Sequence, residues 1–193
     1  MKTIITLFLT TAAMLAFTIS AIAQKKTQGF TSSFVINAPI DKVWKVIGED
    51  YGSIAYSHPK IVSSDYLKGS FKAGEGAERV CNFKEDGSQY LHERQVNYDP
   101  INYTFKNQVF HAGKFPVIPE NTFAIYKLEK IDANSCRFVF DMTFRTSPAM
   151  MGVLMKGSFK KLIADYAIAI EHHVNTGEKV TKENFKEIKK QRS

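Results

Sequence analysis

Cysteine is scarce in this chain. Only Cys81 and Cys136 occur among 193 residues, too few for a disulfide-stapled scaffold or a cysteine-rich zinc site. An oxidising compartment would permit one bridge between them, yet both fall in strand-like runs, where a cysteine serves as a small buried residue. The five histidines are scattered and show no metal-ligand spacing, so neither a metal nor a cofactor is expected. His172 and His173 are adjacent on a helical pattern and point apart by about 100°. Nucleophile elbow, phosphate loop and dinucleotide fingerprint are all missing. No basic stretch is interleaved with aromatics, so nucleic acid is not an expected partner. After Ile22 no apolar run is long enough to span a bilayer.

The start of the chain is different in character. Lys2, an apolar run from Ile4 to Ile22 and the small-residue site Ala21-Ile22-Ala23 have the layout of a secretory signal peptide (1–23). Cleavage after Ala23 implies a periplasmic or secreted protein. The rest suits one domain over 24–175 with a sizeable core. The net charge of +7 is concentrated in the lysine-rich 176–193, which reads as a basic flexible tail able to make weak contact with an anionic membrane surface.

Between these ends the hydrophobic period changes. Phe30, Ser32, Phe34 and Ile36 alternate as a first strand. Pro39 and Asp41 open a short helix whose apolar positions are Ile40, Val43, Trp44 and Ile47, and a second short helix or turn runs to Tyr56. Strand patterns then cover 61–67, 77–84, 89–98, 101–110, 122–131 and 136–145, separated by turn signals such as Asp86-Gly87 and Asp99-Pro100. Ser147-Pro148 looks like an N-cap followed by a first-turn proline. A long helix follows to about Val174, ending near Gly177, with Met151, Leu154, Met155, Ser158, Leu162, Tyr166 and Ile170 along one side. Six consecutive antiparallel strands need a cover on one face, and the long helix supplies it. Such a sheet curved around one helix leaves a cavity.

One hairpin carries most of the polar chemistry. A two-residue Asp86-Gly87 turn would set Arg79 opposite Arg94 and Cys81 opposite His92. A three-residue Glu85-Asp86-Gly87 loop, with Gly87 left-handed, sets Arg79 opposite Glu93, Cys81 opposite Leu91 and Phe83 opposite Gln89. Like charges directly opposite are unfavourable, which selects the second register. Glu78, Asn82, Lys84, His92 and Arg94 then share the wet face. The inward Arg79–Glu93 pair serves equally well as an ion pair fixing strand register or as a polar anchor for a ligand oxygen.

The stretches "FVINAPIDKVWKVIGEDYGSIAYSHP", "GEGAERV" and "DGSQYLHERQVNYD", with the long closing helix, resemble the polyketide cyclase/dehydrase branch of the START-related, birch-pollen-allergen-like superfamily. The resemblance covers roughly 31–174 and implies an α+β helix-grip fold. In that fold a curved seven-stranded antiparallel sheet wraps a long C-terminal helix, with two short helices between strands 1 and 2. The superfamily includes the plant abscisic-acid receptors, in which positions corresponding to Arg79, Cys81, Phe83 and Glu93 line the pocket, although this hairpin is shorter than theirs. His58 lies near the place of the receptors' ligand-binding lysine, at the expected mouth, and His111 reads as a gate above it. Leu91, Tyr103, Phe105, Asn107 and Phe140 should look inward from the sheet, as should Met151, Leu154 and Ser158 from the helix. Ordinary core packing explains most of these equally well, but Asn107 and Ser158 would then be polar groups lacking water. On the last strand periodicity puts Phe138, Phe140, Met142 and Phe144 inside and Asp141 outside, where the resemblance would turn Asp141 inward.

The expected function is an exported binding or carrier protein for a small hydrophobic ligand: a lipid, isoprenoid, polyketide-like or aromatic molecule. It would be a monomer or dimer. The alternative is a cyclase/dehydratase- or hydrolase-type enzyme, with Glu93 as a general base of burial-raised pKa and Arg79 steadying an oxyanion.

Overall fold

The computed structural model describes residues 27–192, so the expected signal peptide and its cleavage site lie outside the described residues. Seven strands form one antiparallel sheet: β1 (Gln28–Ile36), β2 (Ser63–Tyr66), β3 (Glu78–Asn82), β4 (Tyr90–Asp99), β5 (Thr104–Ala112), β6 (Phe123–Lys130) and β7 (Cys136–Phe144). Their order is β1-β7-β6-β5-β4-β3-β2, a meander from β2 to β7 with β1 added beside β7. Helix α1 (Ile40–Trp44) continues as a π-helical turn at Lys45–Glu49, and a 3₁₀ turn covers Tyr51–Tyr56. The long helix α2 (Met150–Thr176) and a final short helix α3 (Phe185–Gln191) complete the chain. The sheet covered by one long helix is what the strand and helix periods predict, and it is the helix-grip fold that the resemblance implies.

Alternation sets the core. Phe30 and Ile36 on β1, Ala124, Tyr126 and Leu128 on β6, and Phe138, Phe140 and Phe144 on β7 are buried, while Asp141 is exposed, as periodicity requires. Phe105 stacks on Tyr126 with ring centroids 4.7 Å apart. Trp44 from α1 stacks on Tyr98 at 5.6 Å and meets Tyr103 edge-on at 5.7 Å. Cys81 and Cys136 are both buried and free.

The hairpin takes the three-residue register. Arg79 faces Glu93, Cys81 faces Leu91 and Glu78 faces Arg94, the Phe83 amide donates to the Gln89 carbonyl at 2.8 Å, and Gly87 adopts φ 66°, a region glycine enters without a Cβ penalty.

Four expectations are corrected. Residues 176–192 are not a flexible tail. Gly177, at φ 73°, ends α2, and the chain turns back. Val180 and Ile188 bury themselves against Ala169, the Val180 amide donates to the Tyr56 carbonyl at 2.9 Å, and Arg192 reaches Glu171 at 3.1 Å. Ser147-Pro148 is a cis peptide and not a helix cap; Ala149 precedes the first turn.

The phase of α2 also differs. Its inward positions are Gly152, Met155, Phe159, Ile163, Tyr166 and Ile170. Gly152 lies tight against Gln28 and Thr146, and Phe159 meets Phe144 edge-on at 4.8 Å, which turns Met151 and Leu154 outward. Leu154 is 70% exposed. Finally, a bulge interrupts β4–β5: His92 pairs with His111, but Glu93 pairs with Val109. The extra residue reverses the alternation beyond Val109, so His111 lies on the outer face beside Tyr90 and His92 and not at the mouth.

Candidate functional site

Between the concave face and α2 lies a cavity of about 550 Å³, within the size range of small-molecule sites. Its walls are mostly apolar, with Phe83, Leu91, Phe140 and Tyr166 among them. Lys60, Ser158 and Lys161 line it yet remain exposed to solvent, and so mark its opening. His58, Arg79, Glu93, Asn107, Thr122 and Asp165 supply its buried polar surface.

The polar end is built by three neighbouring strands. Arg79 on β3 and Glu93 on β4 are direct cross-strand partners. Asn107 on β5 is diagonal to Glu93, two residues before its partner Val109, within reach of a long side chain. Arg79 Nε donates to Glu93 Oε2 at 2.8 Å, and Nη2 lies 2.7 Å from the same oxygen. Asn107 Nδ2 donates to Glu93 Oε1 at 2.8 Å. Tyr51, from the 3₁₀ turn, closes the ring. Its hydroxyl donates to Asn107 Oδ1, its carbonyl accepts from Arg79 Nη1 at 2.8 Å, and its ring lies 4.0 Å beneath the guanidinium. Cys81 sits behind the pair, its thiol donating to Glu93 Oε2 at 3.4 Å.

Burial governs the electrostatics. It would weaken the Arg79 charge, but the Glu93 carboxylate facing it across the strands outweighs burial and holds Arg79 above its usual range. Burial pushes the Cys81 thiol and the Tyr51 and Tyr126 hydroxyls well up, so all three stay protonated. His58 moves the other way. Burial, with Arg79 nearby, lowers it to about 3, so its imidazole is neutral, packed 4.8 Å from the Tyr166 ring. Burial opposes the Asp165 charge, but ion pairs with Lys161 and Lys189 prevail and lower its pKa.

The predicted set is thus partly assembled. His58, Arg79, Phe83, Leu91, Glu93, Asn107, Phe140 and Ser158 line the cavity. Cys81 supports it from behind. Phe105 is core beneath it, stacked on Tyr126 and tilted against Trp44. Tyr103 lies on the far side, in a turn with φ 50°, its hydroxyl donating to Asp41 at 2.5 Å. His111, Met151 and Leu154 stand outside.

Sequence reasoning missed Tyr51, Tyr126 and the lining residues Phe115 and Val117. The alternation of Ala124, Tyr126 and Leu128 could have found Tyr126. The Pro-bearing loop that carries Phe115 and Val117 has no period to read.

A family model described as polyketide cyclase/dehydrase and lipid transport matches residues 27–170. No curated protein sequence matches the chain. Solved structures share the fold at low identity. XoxI from Bacillus cereus is 20% identical with a TM-score of 0.60, covering 77% of this chain and 96% of its own. A protein from Thermobifida fusca is 22% identical with a TM-score of 0.62, covering 79% and 96%. Ara h 8.0201 is 21% identical with a TM-score of 0.58, covering 78% and 99%.

Proposed function

Because the chain belongs to the polyketide cyclase/dehydrase and lipid transport family, we propose that it is an exported binding or carrier protein for a small hydrophobic molecule. The observation that carries this reading is the cavity of about 550 Å³, apolar along its walls and polar at one buried end. A lipid, isoprenoid, polyketide-like or aromatic molecule would bury its apolar body against Phe83, Phe140 and Tyr166 and place one polar group near Arg79 and His58.

Binding is favoured over turnover by the way Glu93 is used. Its oxygens accept from Arg79, Asn107 and Cys81, so a proton-abstracting role would require breaking a closed ring of hydrogen bonds. Action outside the cytoplasm rests on the N-terminal pattern of Lys2, the apolar run and Ala21-Ile22-Ala23. N-terminal sequencing of the protein recovered from the cell envelope or medium should begin at Gln24; a retained Met1 would reject export by this route.

Native mass spectrometry of the protein from its own host tests the carrier reading. The expected result is a co-purifying apolar mass released on denaturation. A protein that carries nothing and takes up no apolar probe would overturn the assignment.

A further inference from the structure

Resting on the carrier reading, we propose that the bound molecule presents a neutral hydrogen-bond acceptor, a ketone or ester carbonyl, to the buried end of the cavity. Every side-chain acceptor named at that end already receives at least one donor, whereas several N–H groups there have no acceptor. Glu93 Oε2 already accepts from Arg79 and Cys81, and Oε1 from Asn107. Asn107 Oδ1 accepts from Tyr51. His58 Nδ1 accepts from the Lys60 amide at 3.1 Å. The Asp165 oxygens accept from Lys161 and Lys189.

Donors remain. Arg79 has five N–H groups, of which the contacts to Glu93 and the Tyr51 carbonyl use three. Asn107 keeps a second N–H. His58, with Nδ1 accepting, carries its proton on Nε2. The Tyr126 hydroxyl also lines this region.

Charge narrows the class further. Arg79 is offset by Glu93 and His58 is neutral, and Lys60, the next cation, stands at the exposed opening, so at the buried end neither an anion nor a cation meets an uncompensated partner. A carbonyl oxygen satisfies buried donors without importing charge.

Calorimetric titration of the mature protein with four bicyclic probes of one shape tests this: tetralin, tetralone, aminotetralin and tetralin carboxylate. Tetralone should bind about five- to tenfold more tightly than tetralin, the effect of one or two net hydrogen bonds, and more tightly than either charged probe. In the infrared, the stretch of the bound ketone should fall to lower frequency. His58→Phe should shrink both that shift and the preference over tetralin. Should the variant fail to fold, the probe series and the carbonyl frequency on the unsubstituted protein still decide. Equal binding of tetralone and tetralin, or tighter binding of the amine or carboxylate, would overturn this inference and leave the carrier reading standing. Failure of all four to bind would overturn both.

Discussion

Arg79 and His58 are buried cations-in-waiting with opposite fates. Arg79 keeps its charge because Glu93 faces it across the strands and the Tyr51 carbonyl accepts one further N–H. Removing one member leaves an uncompensated buried ion. Arg79→Met should therefore cost about 3–5 kcal/mol. The Arg79→Met/Glu93→Met double variant should cost much less than the two single changes combined, with a coupling of about 2 kcal/mol in urea-denaturation cycles. Independent, additive effects would show that the pair is not a unit.

His58 has no carboxylate partner within the cavity. Burial and the neighbouring cations Arg79 and Lys60 hold it neutral, against a weaker pull from Asp165. Its folded pKa of about 3 lies below the ordinary value of 6.5. The unfolded chain therefore binds more protons between those limits, and stability falls as pH drops through that window. Between pH 6.5 and 5.0, above the range where most carboxylates titrate, His58 should account for a loss of about 1.5–2 kcal/mol. His58→Phe should flatten this stretch of the stability–pH curve. An unchanged slope would mean that the imidazole is charged in the folded protein.

At the scale of elements, strand existence and pairing were legible because alternation and turn chemistry fix them. The hairpin register followed from placing Arg79 away from Arg94, and the structure sets it against Glu93 as expected. What escaped were features in which one residue resets a period. The bulge at Phe110 sends His111 outward, although simple alternation groups it with Asn107 and Val109. Gly152 and Phe159 set the phase of α2, and a hydrophobic stripe alone does not choose between adjacent phases.

The C-terminal segment escaped because its lysines mask three apolar residues, Val180, Phe185 and Ile188, that dock on α2. Lys189 also joins Asp165 there at 2.7 Å. A chain ending at Gly177 should accordingly lose about 3 kcal/mol in chemical denaturation, the scale of burying two aliphatic side chains. A frayed tail would leave the unfolding midpoint where it is.

At the scale of the whole molecule, the sheet and α2 enclose space that the core does not fill. Close packing is the norm in protein interiors, and apolar walls that face a solvent-open cavity of this size forgo burial. A ligand that covers those walls stabilises the folded state by binding it alone. At a hundredfold excess over its dissociation constant a ligand contributes about 2.7 kcal/mol. Ala124 lines the cavity from β6 and is itself buried, so a ring placed there projects into empty volume. Ala124→Phe should leave the ligand-free protein as stable as before or more so, because new contacts form without displacing old ones. The same substitution should abolish the rise in melting temperature that tetralone confers on the unsubstituted protein. Destabilisation of the ligand-free variant by several kcal/mol would instead mean that the space beside Ala124 is already closely packed.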